Sequence, residues 1–366
     1  MTQIQENYHL LELPDFGVPS DIRLISNTQF SNKNEIKVQY IPPNFLARLF
    51  RWNLFLFCFL HALQIFFSAD FKTIILIDGS DKIVWLFIGW LNRLFFFRKR
   101  TLFLWDIFVE YHLGKEKRLK FFPFLKTKTK WKEAAARNAL LGYDAIVQWS
   151  KKQVAAHVSY YRLPKEKFFF LPFKSNHSNL SKSQRYDIPI GSFIFSGGNG
   201  KRDYQCLVDA VRGTDIPVII SVTDPQVRKQ IEFLPNVIVL SAVEPAFAQL
   251  QAACRFVVIP MINSGLKGGG EANVCNAMWH GKPVIACCNM AAEDYIIENE
   301  TGFVVPAGDS KLLRRRILEL WNNPERIAEI GKQARAHAEK NFTHDLFILR
   351  LLRLATLLAN KKTLTI

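Results

Sequence analysis

Cysteine is sparse in this sequence and shows no organised spacing. Six residues (Cys58, Cys206, Cys254, Cys275, Cys287 and Cys288) are spread through 366, with no C-x-x-C pair and no Cys/His ligand pattern. Most stand in apolar stretches, where a free thiol behaves as a small buried hydrophobe, so a reducing compartment is expected and a structural zinc site is not. A secretory leader is also missing: Met1 to Glu12 is mixed and polar, without a basic start followed by an apolar core. The longest apolar run, Trp52 to Phe67, has 16 residues and contains Asn53, His61 and Gln64. A spanning helix needs roughly 20 apolar residues, so this run is expected to be a buried or interfacial helix. No G-x-x-x-x-G-K-[ST] loop occurs, and no G-x-G-x-x-G follows the first strand, which argues against P-loop NTPases and NAD enzymes. H-E-x-x-H, G-x-S-x-G and Cys/His nucleophile patterns are absent as well.

What remains is a long, apolar and basic chain. At 366 residues it exceeds one ordinary core, so two domains are expected. The hydrophobic fraction of 49% is that of a folded protein. Net charge is +16, from 48 Lys+Arg against 32 Asp+Glu. That excess suits an anionic partner (nucleic acid, an acidic membrane surface or a phosphorylated ligand), with a merely solvated basic surface as the equal alternative.

Hydrophobic patterning predicts alternating strands and helices throughout. In the first half, strands are expected at 22–26, 36–41, 73–77, 100–105, 145–149 and 167–171. Helices are expected at 45–67, 82–97, 131–141 and 151–161. The polar, Ser- and Asn-rich run from Phe173 to Ile190 reads as a linker. Beyond it, strands are expected at 192–195, 217–222, 237–240, 256–260, 283–286 and 302–305. Helices fill the gaps, including 225–234, and continue from Ser310 to the end. The fold class is therefore α/β, with two Rossmann-like, doubly wound domains. The expected division is 1–175, 176–345 and a C-terminal helix and tail, 346–366, packing back on the first domain.

Two loops of the second domain carry ligand-binding chemistry. Open parallel sheets bind ligands beyond the carboxyl ends of their strands. After the strand SFIF comes Ser196-Gly197-Gly198-Asn199-Gly200-Lys201-Arg202. Its glycines allow close backbone approach, and Lys201 and Arg202 add positive charge at a helix N-terminus. The second loop, Ser264-Gly265-Leu266-Lys267-Gly268-Gly269-Gly270-Glu271, opens into the helix 272–280, which carries Asn273 and Asn276. Three glycines before a helix present N–H donors to a pyrophosphate, and Lys267 adds a charge. Glu271 either accepts hydrogen bonds from ligand hydroxyls or caps the helix. Either loop alone is a common glycine turn, whereas two on one sheet point to a phosphorylated ligand.

The segment Glu271 to Asp309 (EANVCNAMWHGKPVIACCNMAAEDYIIENETGFVVPAGD) resembles the donor-binding region of GT-B-fold retaining glycosyltransferases of the large family-4 group. The matching residues are Ala277-Met278, Gly281 to Ala286, Thr301-Gly302, Pro306 and Gly308-Asp309. The resemblance is specific over Gly265 to Asp309 and extends more weakly from Thr73 to Phe342. It implies two domains facing each other across a cleft, a nucleotide-sugar donor held there by the second domain, and no metal or other cofactor. The family's two glutamates, eight positions apart, align with Gly268 and Asn276, so both are departures. Its diphosphate-binding Lys aligns with Arg202 and its Arg with Gly197. The implied donor site comprises Gly197, Gly198, Lys201, Arg202, Lys267, Gly268, Gly269, Gly270, Asn273 and Asn276, with Glu271 and Asp106 as catalytic candidates. Asp106, at the end of RTLFLW, is placed to orient or deprotonate an acceptor hydroxyl, or simply to cap a helix. The expected activity is retaining hexosyl transfer to a lipid-linked or polysaccharide acceptor. The alternatives are a nucleotide-sugar epimerase using His112 or His280, and an inactive nucleotide-sugar-binding protein.

Between Arg93 and Lys132 stand 12 Lys/Arg against three acids (Asp106, Glu110, Glu116), interleaved with Phe121, Phe122, Phe124 and Trp131. Beside an apolar helix, this describes a first domain seated on an anionic membrane, on the cytoplasmic face. Single-stranded nucleic acid is less favoured, because most of the Phe residues fall in core-like patterns.

Overall fold

The computed structural model describes residues 23–26, 38–49, 53–69, 73–79, 83–95, 101–105, 129–178, 191–262, 269–287 and 291–363. The chain divides into two compact units. One comprises Met1–Gln148, Val154–Leu171 and Ile348–Ile366, and the other Trp149–Gln153 with Pro172–Phe347.

In the first unit the strands are β1 (Arg23–Ser26), β2 (Val38–Tyr40), β3 (Thr73–Asp78), β4 (Thr101–Trp105), β5 (Ala145–Gln148) and β6 (Phe168–Phe170). They form one parallel sheet in the order β2-β1-β3-β4-β5-β6. β3 and β4 are unbroken apolar runs because a central parallel strand is covered on both faces; all of β4 and all but the last residue of β3 are buried. Helices Val84–Leu94 and Thr129–Leu141 pack with almost no space between their backbones. A Cβ on Gly89 would lie 2.3 Å from the Ala139 carbonyl oxygen, and one on Gly142 would lie 2.1 Å from that of Gly89. Trp90 Nε1 donates to Ala135 O (3.1 Å) and Asn92 Nδ2 to Gly142 O (2.8 Å), which fixes their register.

The second unit has β7 (Ile194–Gly197), β8 (Val218–Ser221), β9 (Val237–Leu240), β10 (Phe256–Ile259), β11 (Val284–Cys287) and β12 (Gly302–Val305). Its sheet is parallel, in the order β12-β11-β10-β7-β8-β9. The chain enters at β7, winds outward to β9, then crosses back to β10 on the other side of β7. The direction of winding therefore reverses between β7 and β10, and in such a sheet a crevice opens at that point, beyond the strands' carboxyl ends. Both Gly-rich loops leave from these two strands.

Several expected helices are shorter than the apolar pattern suggested. The run 45–67 is two helices, Phe45–Leu49 and Leu54–Phe67. The second starts at Asn53, whose side chain accepts from Leu56 N (3.2 Å) as an N-cap. The helix expected at 225–234 covers only Pro225–Lys229. The C-terminal stretch is three helices, Ser310–Trp321, Pro324–Asn341 and His344–Thr363, the second opened by an Asn323 cap and Pro324.

Residues Gly281 to Ala286 and Thr301 to Asp309, the signature segment, mostly serve this architecture. Gly281 takes φ +66 after the helix Glu271–Trp279, and a Cβ on Gly331 would meet the Gly281 carbonyl oxygen at 2.3 Å. Gly302 lies so close to β11 that a Cβ would be 2.1 Å from Val284 O. Asp309 caps the helix Ser310–Trp321 through Leu312 N (2.9 Å). Replacing Gly331 with Ala must push two backbones apart and should cost about 2 kcal/mol in denaturant unfolding. The control, Gly200→Ala, meets nothing within 4 Å and should stay within about 0.5 kcal/mol.

Candidate functional site

The loop after β7 is held open by its own backbone and by one half-buried cation. Gly197 has no room for a side chain, since a Cβ would lie 2.4 Å from the Phe247 ring. Gly198 (φ +116) and Lys201 (φ +54) both take left-handed backbone, which glycine adopts freely and lysine only under constraint. The Lys201 carbonyl accepts from Ile262 N (3.1 Å), and Asp203 N donates to Pro260 O (2.8 Å), so the loop is stitched to the end of β10. Arg202 lies beneath it. Its Nε donates to Gly197 O (3.2 Å), its Nη1 to Gly200 O (2.7 Å), and the same nitrogen touches the Met261 sulfur. Burial lowers the Arg202 pKa, and the nearby Tyr204 and Glu271 oppose the shift. Tyr204 Oη donates to Gly198 O (2.5 Å), while Asn199 Oδ1 accepts from Thr223 N and Asp224 N (2.9 and 3.0 Å).

The second loop ends at the helix Glu271–Trp279. Gly270, its N-cap, has φ +91 and supplies no side-chain acceptor. The carboxylate of Glu271 fills that role itself, accepting from the backbone N–H groups of Glu271 and Gly269. Glu271 is 8% exposed, and burial raises its pKa; these hydrogen bonds and Arg202 counter only part of that shift. Among the described residues its Oε1 meets no hydrogen-bond partner, and the residue lines a cavity of about 10 Å³ with Met261, Cys287 and Tyr295. Asn273, on the same helix, donates through Nδ2 to Gly197 O (2.9 Å), and its own carbonyl accepts from Gln251 Nε2 (3.1 Å). One helix thus fastens both Gly-rich loops together.

One turn further along, Asn276 is 4% exposed. Its Oδ1 accepts from Ser175 Oγ (2.9 Å), Asn176 N (2.8 Å) and His177 N (3.4 Å). His177 Nδ1 lies 2.9 Å from His280 Nε2, and His177 Nε2 lies 3.0 Å from Glu244 Oε1. Burial first, then the charges of His177, Lys282 and Arg335, press the His280 pKa down to about 3. The rings of His280 and His177 thus pair through one nitrogen each, and Glu244 faces the other nitrogen of His177. Tyr295 closes the same region: its hydroxyl donates to Trp149 O (2.7 Å) and accepts from Phe173 N (2.8 Å).

The structure brings Gly197, Gly198, Lys201, Arg202, Gly269, Gly270, Glu271 and Asn273 to one edge of the sheet. Asp106, Lys267, Gly268 and His112 lie outside the described residues. Three of the expected site side chains have partners within the protein. Arg202 turns under its loop and clamps it, because the inward carbonyls of Gly197 and Gly200 need a donor. Glu271 caps its own helix, since Gly270 leaves the N–H groups unsatisfied. Asn276 does not face outward toward a ribose; it satisfies the donors of 175–177. The part of the expected linker that is described, Phe173 to Ser178, is fastened by these bonds. Sequence reading missed Asn199, Tyr204, His177, Glu244 and Tyr295. Only the Asn199-Gly200 turn pair carried a local signal.

His280 supplies a pH test. Its pKa falls from 6.5 to about 3 on folding, so the neutral form is favoured in the folded state. Its stabilisation is complete above pH 6.5 and is lost as pH falls toward 3. Urea unfolding across that window should show a shallower decline in His280→Gln than in the wild type.

Comparison with known proteins follows the same lines. Residues 209–323, which include the helix Glu271–Trp279, match the family model described as Glycosyl transferases group 1. D-rhamnosyltransferase WbpZ of Pseudomonas aeruginosa is 31% identical over 145 residues, 37% of each chain. O-antigen chain mannosyltransferase C of Escherichia coli is 28% identical over 240 residues, 61% of this chain and 63% of that one. The matches therefore span 37% and 63% of those relatives' lengths. Among solved structures, Anabaena HepE in complex with UDP has a TM-score of 0.62 at 17% identity, covering 82% of each chain. Sucrose-phosphate synthase from Thermosynechococcus elongatus has a TM-score of 0.61 at 16% identity, covering 88% of this chain and 81% of its own. The segment 209–323 is thus similar to the glycosyl transferases group 1 proteins, and the two parallel sheets have the GT-B fold of the solved glycosyltransferases.

Proposed function

We propose that this protein transfers a hexose-like sugar from a nucleoside-diphosphate donor to a lipid-linked or polysaccharide acceptor, with retention at the anomeric carbon. The observation that carries the reading is the glycine-lined edge between β7 and β10, beside a helix N-terminus whose N-cap is Gly270 and which lies within the matched segment. Backbone N–H groups at such an edge suit a diphosphate, and the helix dipole favours its charge. The names of the relatives, a rhamnosyltransferase and an O-antigen chain mannosyltransferase, support sugar transfer. The solved complexes of HepE with UDP and with UDP-glucose support a nucleotide-sugar donor.

In this mechanism Gly197, Gly198, Gly268, Gly269 and Gly270 admit the phosphates to the backbone, while Lys201 and Lys267 supply charge. Arg202 acts from below, holding the loop and adding its field. Glu271 and Asn273 keep the helix N-terminus in register with the β7 loop, and Asn276 does the same for the segment 175–177. The leaving diphosphate stays on the same face of the sugar as the attacking hydroxyl, so it accepts the proton and retention follows without an obligatory protein base. Asp106 orients the acceptor hydroxyl. Positive groups and backbone donors meet the donor's charge, so a metal is not required. The acceptor is reached at the cytoplasmic face of a membrane, with no role for nucleic acid.

Calorimetric titration with UDP, GDP and ADP should show one nucleotide binding clearly more tightly than the others. Arg202→Ala should weaken it about tenfold, the loss of charge-assisted hydrogen bonds that shape the loop. Transfer or donor hydrolysis should continue in excess EDTA. Binding without turnover of any cognate nucleotide sugar would leave a binding protein, and absence of nucleotide binding would remove the proposal altogether.

A further inference from the structure

The first unit carries an apolar groove at a place that the transfer reaction does not use. It has a volume of about 460 Å³ and is lined by Phe59, Phe87, Trp90, Leu91 and Leu94, with Arg93 and Asn138 on the polar side. The size is that of a small-molecule pocket, and nearly all of the lining is hydrocarbon or aromatic ring. The walls are built: Phe87 packs edge-on against Phe59 (5.5 Å between centroids) and Trp90 (5.7 Å), and Trp90 is anchored through its indole N–H to Ala135 O.

The groove continues into exposed apolar surface. Leu94 is 70% exposed and Phe67 50%. Their helix ends are neighbours, since the Phe67 and Phe95 rings lie 5.5 Å apart. Asn44 N donates to Gln64 Oε1, which sets the short helix Phe45–Leu49 beside the last turn of Leu54–Phe67. That helix adds Phe45 (74% exposed), Leu46 (56%) and Leu49 (51%). Five large apolar side chains around one groove are more than scattered surface residues, and such patches mark interaction sites.

Two further observations identify the occupant. Helix Val84–Leu94 leaves the carboxyl end of β3 and returns to the start of β4, so Leu94 lies at the amino-terminal edge of the sheet. Ligands that react are bound at the opposite edge, so this groove is not where an acceptor would meet a donor. Its rim is also positive. Arg93 is exposed at the groove and Arg48 beside Leu49, and in sequence Arg98, Lys99 and Arg100 follow while Lys126 and Lys128 precede the helix that carries Asn138. Apolar side chains bordered by Arg93 and Arg48 complement a lipid, with hydrocarbon inside and phosphate at the rim. Among the described residues no helix is long and apolar enough to cross a membrane.

We propose that this groove takes an acyl chain of an anionic phospholipid, anchoring the first unit to a bilayer at the sheet edge opposite its reactive loops, with Arg93 at the headgroup phosphate. The inference rests on the first unit alone and extends the membrane-face reading to a specific site. The test uses the full chain with vesicles of phosphatidylglycerol or phosphatidylcholine. Flotation should recover the protein with phosphatidylglycerol and little with phosphatidylcholine. Phe67→Asp with Leu94→Asp should reduce flotation at least about tenfold, and Arg93→Glu about fivefold or more. All three side chains are exposed, so unchanged thermal unfolding midpoints should confirm that these variants fold. Phosphatidylglycerol brominated on its acyl chains should quench tryptophan fluorescence, and Trp90→Phe should lose part of that quench. The proposal is overturned if phosphatidylglycerol vesicles do not bind, if the Asp variant floats as the wild type does, or if Trp90→Phe leaves the quench unchanged. Self-association abolished by the Asp variant, without vesicle binding, would assign the patch to a second copy instead. Nucleotide titration of the same variants is independent: a chain that floats but binds no nucleotide keeps this inference and loses the donor reading.

Discussion

The helix Glu271–Trp279 is the piece on which the second unit's candidate site depends, because it is held at both ends and along its side. Its first residue follows a left-handed Gly270, and its C-cap, His280, is followed by Gly281, also left-handed and in close approach to Gly331. Neither end can be shifted by one residue without placing a Cβ in strained backbone. Along its side Asn273 reaches the β7 loop and Asn276 reaches the segment 175–177. A nine-residue helix thereby sets the loop that precedes it against the β7 loop and the segment at Asn176, 76 and 100 residues away in sequence. Its rigidity is what makes the backbone donors at its N-terminus usable, since an anion site of N–H groups works only while those groups keep a fixed direction.

The architecture was legible because parallel strands announce themselves. Runs such as TIILI and PVIISV are apolar on both faces, and the structure places Thr73–Asp78 and Val218–Ser221 within them. The Gly-rich loops were legible for a similar local reason. Three glycines cannot stabilise a helix or a strand, so their place between strand and helix had to be a turn. Helix ends were less legible. The pattern from Phe45 to Phe67 ignores Asn53, yet a side chain that satisfies a free N–H group starts a new helix there.

Side-chain direction was not legible at all, and the site residues suffer for it. Arg202 follows a glycine loop in sequence whether it points to a ligand or, as here, under the loop toward Gly197 and Gly200. The choice is decided by two inward carbonyls and by Met261, 59 residues away. Similarly, the Glu244–His177–His280 chain joins residues 67 and 103 positions apart. Spacing rules describe neighbours on one element and carry no information about such pairs. Only His280 had been singled out, and it had no visible partner.

The two departures from the family's glutamates now have different meanings. At position 276 the neighbours are three donors and a histidine pair. A carboxylate there would also accept from those donors, but it would stand beside two imidazoles and favour their protonation. The neutral amide avoids that, in keeping with the low pKa of His280, so Asn276 is suited to this surrounding rather than a simple loss. Glu271 shows the complementary case. Its buried carboxyl occupies N–H groups at a helix start that would otherwise welcome an anion, and its pKa is raised. A phosphate arriving nearby would raise it further, because two like charges in low dielectric oppose each other.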